Sequence, residues 1–171
     1  MNGVQTCALP ICFPVTIGGS STATTLYGHV ETAAQRVEHL FRLRALQEET
    51  GGFTGFVPFA FEPSQTRLAE LGKIRRASAL EELRVIAASR ILLDNFAHIT
   101  AYWISTGLPL AQVALSYGAD DLHGTIEEEK IFHMAGAQTP LGQTRGSLER
   151  AIREAGRQPV QRDSYYEPMV K

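Results

Sequence analysis

Segments of strand length alternate with segments of helix length along most of this chain, and that alternation restricts it to a parallel sheet with helices packed outside. "STATTLYGH" (Ser21 to His29) is rich in threonine and reads as a strand. "TAAQRVEHLFRLRALQEETGG" reads as a helix: Thr32 and Gln35 form a capping box, Val37, Leu40, Phe41, Leu43 and Leu46 make its apolar side, and Gly51 and Gly52 stop it. "FTGFVPFAF" (Phe53 to Phe61) is a second strand, with Pro58 expected late in it or at a bulge because proline lacks an amide donor. "EPSQTRLAELGKIRRA" reads as a connecting loop with one helical turn. Ser78 and Glu81 open the next helix with another capping box. "HITAYWIS" (His98 to Ser105) and "DDLHGTI" are the third and fourth strands. Between them "LPLAQVALSYGA" is a short helix with Pro109 in its first turn, and "TRGSLERAIREAGRQP" is the last helix.

An open doubly wound sheet and a barrel both fit four such units. No GxGxxG fingerprint follows the first strand, where the sequence is "LYGHVET". A complete (β/α)8 barrel takes about 250 residues, whereas the chain has 171. Four βα units are the size of half a barrel.

The formal net charge of -2 is mixed in sign and gives no electrostatic footprint for nucleic acid. No apolar run is long enough to span a bilayer. Only Cys7 and Cys12 are present, too few for a disulfide framework or a four-thiolate site, and their absence from the body suits a reducing cytoplasm. The start, "MNGVQTCALPICFPV", lacks the basic and apolar regions of a secretion signal. "GVQTCALPI" resembles the conceptual translation of a sequencing-adapter oligonucleotide. Residues 1–19 are therefore expected to be a non-native or disordered leader, with the natural sequence truncated there. Residues 20–171 are expected to form the folded unit.

Chemistry in βα architectures gathers at the C-terminal tips of the strands. The tips carry Tyr27, Gly28, His29 and Glu31; Phe59, Phe61 and Glu62; Tyr102, Trp103 and Ser105; and His123, Gly124, Thr125 and the run Glu127 to Glu129. His29 with Glu31 suits a substrate ligand or an acid/base pair, and equally a helix lead-in with Glu31 at the positive dipole end. Adjacent glutamates point in different directions, so of Glu127, Glu128 and Glu129 one or two are expected to be solvated and one to turn inward. His123 and His133 stand ten positions apart without an HxxxH partner, which argues against zinc; His133 reads as a surface or packing residue. Tyr102 and Trp103 should face opposite sides of a strand. Asp120 and Asp121 precede the fourth strand, at the wrong end for chemistry, and are expected to cap the loop through Asx turns.

Several motifs then converge. "LYGHVET", "LRALQEETGGFTGFVPFAF", "SRILLDNFAHITAYWI", "LAQVALSYGADDLHGTIEEEKIFHMAGA" and "AIREAGRQPVQRDSYY" resemble the radical S-adenosylmethionine enzymes of the menaquinone (futalosine) pathway. "GADD" followed by "GT" and "EE" is similar to three groups there: aminofutalosine synthase, cyclic dehypoxanthinylfutalosine synthase and the FO synthase subunit. "EEKIFHMAGA" and "REAGRQPVQRD" most resemble the first. The resemblance implies the C-terminal half of a (β/α)8 radical SAM barrel, with four parallel strands and outer helices. It implies a 4Fe-4S cluster that cleaves S-adenosylmethionine, and addition of the 5'-deoxyadenosyl radical to 3-(1-carboxyvinyloxy)benzoate. It implies no membrane or nucleic-acid partner, but a small-molecule substrate and the missing N-terminal half of the barrel. Because the cluster's CxxxCxxC motif belongs to that half, no residue here is a metal ligand, and this stretch alone is expected to be inactive. The pocket positions carried over are Tyr27, His29, Glu31, Phe59, Thr125 and Glu128. Besides an enzyme fragment, a non-catalytic standalone α/β binding domain stays open; an independent hydrolase lacks a GxSxG elbow or a cysteine nucleophile in the body.

Overall fold

The computed structural model describes residues 20–72, 74–126 and 129–169. The expected leader, and Glu127 and Glu128, lie outside them.

Strand β1 (Ser21–Tyr27) pairs in parallel with β2 (Phe53–Ala60), with Leu26 opposite Phe59 and Tyr27 opposite Ala60. The crossover is helix α1 (Ala33–Thr50). Its ends are those the sequence predicts: Thr32 and Gln35 complete the capping box, and Gly51, at φ 60°, donates its amide to the Gln47 carbonyl. Pro58 sits late in β2, opposite Thr25. After a short helix α2 (Arg67–Leu71), helix α3 (Ala79–Leu92) starts on the Ser78–Glu81 capping box. A parallel bridge from Phe56 to Ile99 then leads to β3 (Thr100–Ala101), which pairs in parallel with β4 (Asp121–Leu122). The described strands therefore follow one another in chain order, all parallel, as the alternation predicts.

Alternating exposure along β1 defines two faces. Ala23 and Tyr27 are buried toward the helices, whereas Thr22, Thr24 and Leu26 lie on an open face. The covered side is packed with aliphatic and aromatic groups. Phe96 stacks on Phe53 at 5.4 Å and meets Phe56 edge-on at 6.3 Å, among Leu40, Leu43, Ile86 and Leu93. Each such buried side chain contributes about 1.5–3 kcal/mol.

Three expectations need correction. The third strand is not His98–Ser105: it ends at Ala101, and residues Trp103–Thr106 form one turn of helix, α4. The Tyr102 carbonyl accepts the amides of Ser105 and Thr106 and both their hydroxyls, while the Trp103 indole N–H donates to the His123 carbonyl at 2.9 Å. These contacts override the β-propensity of Tyr-Trp-Ile, and Tyr102 and Trp103 are not alternate residues of a strand. The fourth strand is likewise only Asp121–Leu122. Helix α5 (Leu108–Ala114), with Pro109 in its first turn, precedes it; the short helix α6 (Ile131–Met134) and α7 (Arg145–Glu154) follow.

The third correction concerns Asp120 and Asp121, which tie separate elements together instead of forming Asx turns. Asp120 accepts the Ile99 amide at 2.7 Å, contacts His98 Nδ1 at 2.7 Å and pairs with Arg90 at 2.5 Å. Asp121 accepts two bonds from Arg162, at 2.8 and 2.7 Å, and one from the Thr100 hydroxyl at 2.8 Å. Arg162 belongs to a C-terminal segment folded under the foot of the sheet. There the Tyr166 ring lies between His98, stacked at 4.3 Å, and the Arg162 guanidinium at 3.9 Å, with its hydroxyl 3.0 Å from the Thr100 hydroxyl. Gly55 makes room for it: a Cβ there would fall 2.7 Å from the Tyr166 oxygen.

Candidate functional site at the strand tips

The chemistry-bearing side chains divide according to the face of the sheet they occupy. On the covered face, Tyr27 is buried beneath α1 and α3, with the Arg36 guanidinium 5.6 Å from its ring. Burial, then the Glu82 carboxylate, pushes its hydroxyl well above the usual phenol range. Beside it Glu62 and Glu82 share Arg76. Arg76 is 3.6 Å from Glu62 and donates to the Ser105 carbonyl, and Glu62 also accepts the amide and hydroxyl of Ser64. Glu82 is 2% exposed, and one of its oxygens has no hydrogen-bond partner among the described residues. Burial raises its pKa to about 7; Arg76 opposes the shift and Glu62 adds to it.

The loop after β1 is held by Glu31. Its carboxylate accepts the amides of Gly28 and His29, at 2.6 and 3.0 Å, and the Arg36 side chain at 2.6 Å. Burial alone would raise the Glu31 pKa; those amides and the nearby His29 outweigh it and hold the group below the usual carboxylate value. His29 Nδ1 accepts the Val30 amide at 2.7 Å, which leaves Nε2 to donate to the Leu26 carbonyl at 3.2 Å. Both residues of this pair are thus engaged in their own loop.

On the open face the tips of β2, β3 and β4 bring rings together. Tyr102 meets Phe59 edge-on at 4.7 Å, His123 at 5.0 Å and Phe132 at 5.7 Å. The Tyr102 hydroxyl donates to Glu129 at 3.5 Å, and its pKa is pushed up to about 12, mainly by burial and then by that carboxylate. Glu129 also accepts the amides of Ile131 and Phe132, capping α6. His123 Nδ1 is buried without a partner among the described residues. Burial lowers the His123 pKa; Asp121 and Glu129 oppose the shift, and Arg162 reinforces it. Burial thus favours the neutral form of the ring.

Of the residues singled out in the sequence, Phe59 stands in this aromatic mouth, His29 and Glu31 in the neighbouring loop, and Tyr27 behind the sheet. Thr125 lines a separate groove of about 980 Å³ that runs past Leu122 and is walled by Leu115, Leu148, Ile152 and Val160. Glu128 lies outside the described residues. His133 bridges the Glu129 and Thr139 carbonyls at 2.6 and 2.7 Å, a packing role. Sequence reasoning set Tyr102, His123 and Glu62 at the strand tips without carrying them over as pocket positions, and it left out Phe132 and Glu82. Strand-tip position flags the first two and Glu62, but nothing in the residue pattern marks Phe132 or the first-turn Glu82.

The described residues contain no cysteine and no grouping of three side chains fit to hold a metal. A 4Fe-4S cluster needs thiolates, so this donor set does not fit one. No described helix is long and apolar enough to cross a membrane.

Residues 50–170 match the sequence model of the CofH/MqnC C-terminal region. The chain is 50% identical over 151 residues to an aminodeoxyfutalosine synthase of Thermus thermophilus, a match covering 88% of the chain and 41% of the relative. A cyclic dehypoxanthine futalosine synthase of Streptomyces coelicolor is 42% identical over 154 residues, covering 90% of the chain and 37% of the relative. A 5-amino-6-(D-ribitylamino)uracil--L-tyrosine 4-hydroxyphenyl transferase of Methanosarcina barkeri is 41% identical over 161 residues, covering 90% and 42%. The chain thus spans about two fifths of the length of these relatives.

Proposed function

The chain belongs to the family of the CofH/MqnC C-terminal region, and from that premise we propose that it is the C-terminal half of a (β/α)8 radical S-adenosylmethionine barrel of the aminodeoxyfutalosine synthase type. The observation that carries the reading is the 50% identity to that synthase, maintained over 88% of the chain. The fold supports it: parallel strands in chain order deliver one set of tips to one end, and the outer strands β1 and β4 are where the strands of the other half would pair. The reaction proposed for the complete enzyme is addition of an adenosyl group, as its radical, to the enol double bond of 3-(1-carboxyvinyloxy)benzoate.

In that enzyme the iron–sulfur cluster, held by thiolates outside the described residues, and S-adenosylmethionine supply the radical chemistry. The residues of this chain shape the mouth. Phe59, Tyr102 and Phe132 offer ring faces and edges to a planar substrate and exclude water from it. Glu31 and Arg36 fix the β1 loop that bounds the mouth on one side, leaving His29 at its edge. Trp103 fixes the backbone of His123 and Gly124 on the other side, next to Thr125. Tyr27 braces the β1 tip from behind. Glu128 is a further rim candidate, and the cytoplasm is the proposed compartment.

The test is anaerobic reconstitution of the complete polypeptide with iron, sulfide and S-adenosylmethionine. Consumption of 3-(1-carboxyvinyloxy)benzoate, with a product carrying the adenosyl group in its mass spectrum, is the expected result. Inertness toward it, with turnover of the cyclic dehypoxanthine futalosine synthase or hydroxyphenyl transferase substrates instead, would move the chain to another branch of the family.

A further inference from the structure

We propose that His123 is a ligand-binding residue of the aromatic mouth, its Nδ1 making a hydrogen bond to an oxygen substituent on the planar ring of the substrate. The proposal rests on the reading above and adds the residue that fixes how the ring sits.

Nδ1 of His123 is buried and without a hydrogen-bond partner among the described residues. A polar atom left in that state weakens the fold unless something else satisfies it. The other buried atoms in the same condition lie elsewhere: Thr25 on the covered face, His39 in α1, Glu82 in α3 and Asn95 before β3. Among the described residues only His123 stands on the open face in this condition, at the tip of β4.

Its neighbours do not take the bond. The Tyr102 hydroxyl is turned to Glu129, and Glu129 is turned to the amides of Ile131 and Phe132. The imidazole does not reorient easily either, since its edge-on contact with Tyr102 at 5.0 Å holds the ring and the Trp103 indole holds its carbonyl at 2.9 Å. The imidazole lies against the Tyr102 ring, which in turn meets Phe59 and Phe132, and the charged groups nearby are Asp121, Arg162 and Glu129. Such ring walls favour a flat apolar body, and one polar group among them fixes its orientation. In the neutral form that burial favours, the imidazole can donate to an uncharged oxygen without a counter-ion.

The complete polypeptide, labelled with 15N at histidine, is titrated with 3-hydroxybenzoate, and the ring nitrogens of His123 are followed beside the aromatic signals of Phe59, Tyr102 and Phe132. The expected result is a shift of the His123 Nδ1 resonance that saturates together with the aromatic shifts. His123→Phe, which keeps a ring against Tyr102, should weaken binding of the same probe by roughly five- to tenfold, the loss of one hydrogen bond. If the aromatic signals move while His123 does not, or if His123→Phe binds the probe as well as the parent, the proposal fails and the mouth stands. If the probe moves neither, the assignment of the mouth fails too. The 15N measurement is made on the unsubstituted protein, so it decides the matter even if His123→Phe does not fold.

Discussion

At the foot of the sheet the acids have found partners. Asp120 binds Arg90, His98 and the Ile99 amide; Asp121 binds Arg162 and Thr100; Asp163 accepts the amides of Tyr165 and Glu167. Near the tips Glu31 is equally well bonded, but two polar groups are left short. Glu82 and Glu62 both lie in the field of one arginine, Arg76, and His123 has a buried nitrogen with no hydrogen-bond partner among the described residues. The acids of the foot thus differ from these two groups near the tips. Satisfied charge-assisted hydrogen bonds rigidify the foot, whereas the two unsatisfied groups near the tips cost stability.

Substitutions at each end test that contrast. Asp121→Ala should have the largest effect. It strands a half-buried Arg162 and the fully buried Thr100, and should cost about 3 kcal/mol in denaturant unfolding; a loss under about 0.5 kcal/mol would mean that the foot is not the anchor. Gly55→Ala comes next. The added methyl collides with Tyr166, and overpacking should cost about 2 kcal/mol and expose the segment after Pro159 to limited proteolysis.

The smaller effect, at the tips, is visible in pH. Glu82 holds its proton more tightly in the fold, at about 7, than its usual value of 4.5. Its contribution is therefore complete below about 4.5 and lost as pH rises toward 7. Unfolding free energy should fall with rising pH over that window, and Glu82→Gln should flatten this part of the profile. An unchanged slope in the variant would show Glu82 to be as well accommodated as the acids at the foot.

How much of this was legible in the sequence follows the range of the forces involved. The capping boxes at Thr32 and Ser78, the glycine stop at Gly51 and the proline opening of α5 are set by residues within a turn of one another, and all appear where the sequence puts them. The strand order follows from the alternation. The short β3 does not, because the turn that ends it combines local bonds to the Tyr102 carbonyl with an indole bond to a carbonyl twenty positions away. For the same reason the partners of Asp120 and Asp121 were invisible: Arg162 and His98 reach them only through the tertiary fold. The strand-tip rule placed Phe59 at the right end of the sheet. It could not tell Tyr27, on the covered face, from Phe59 on the open one until the register of β1 was known.

Trp103 is the sole tryptophan of the chain, fully buried, and its N–H is bonded to the backbone that leads out of β4. The molecule therefore carries its own optical gauge. Intrinsic fluorescence reports on the loop beside the mouth without any introduced label, and a red shift of its emission would register water reaching that loop before the rest of the fold gives way.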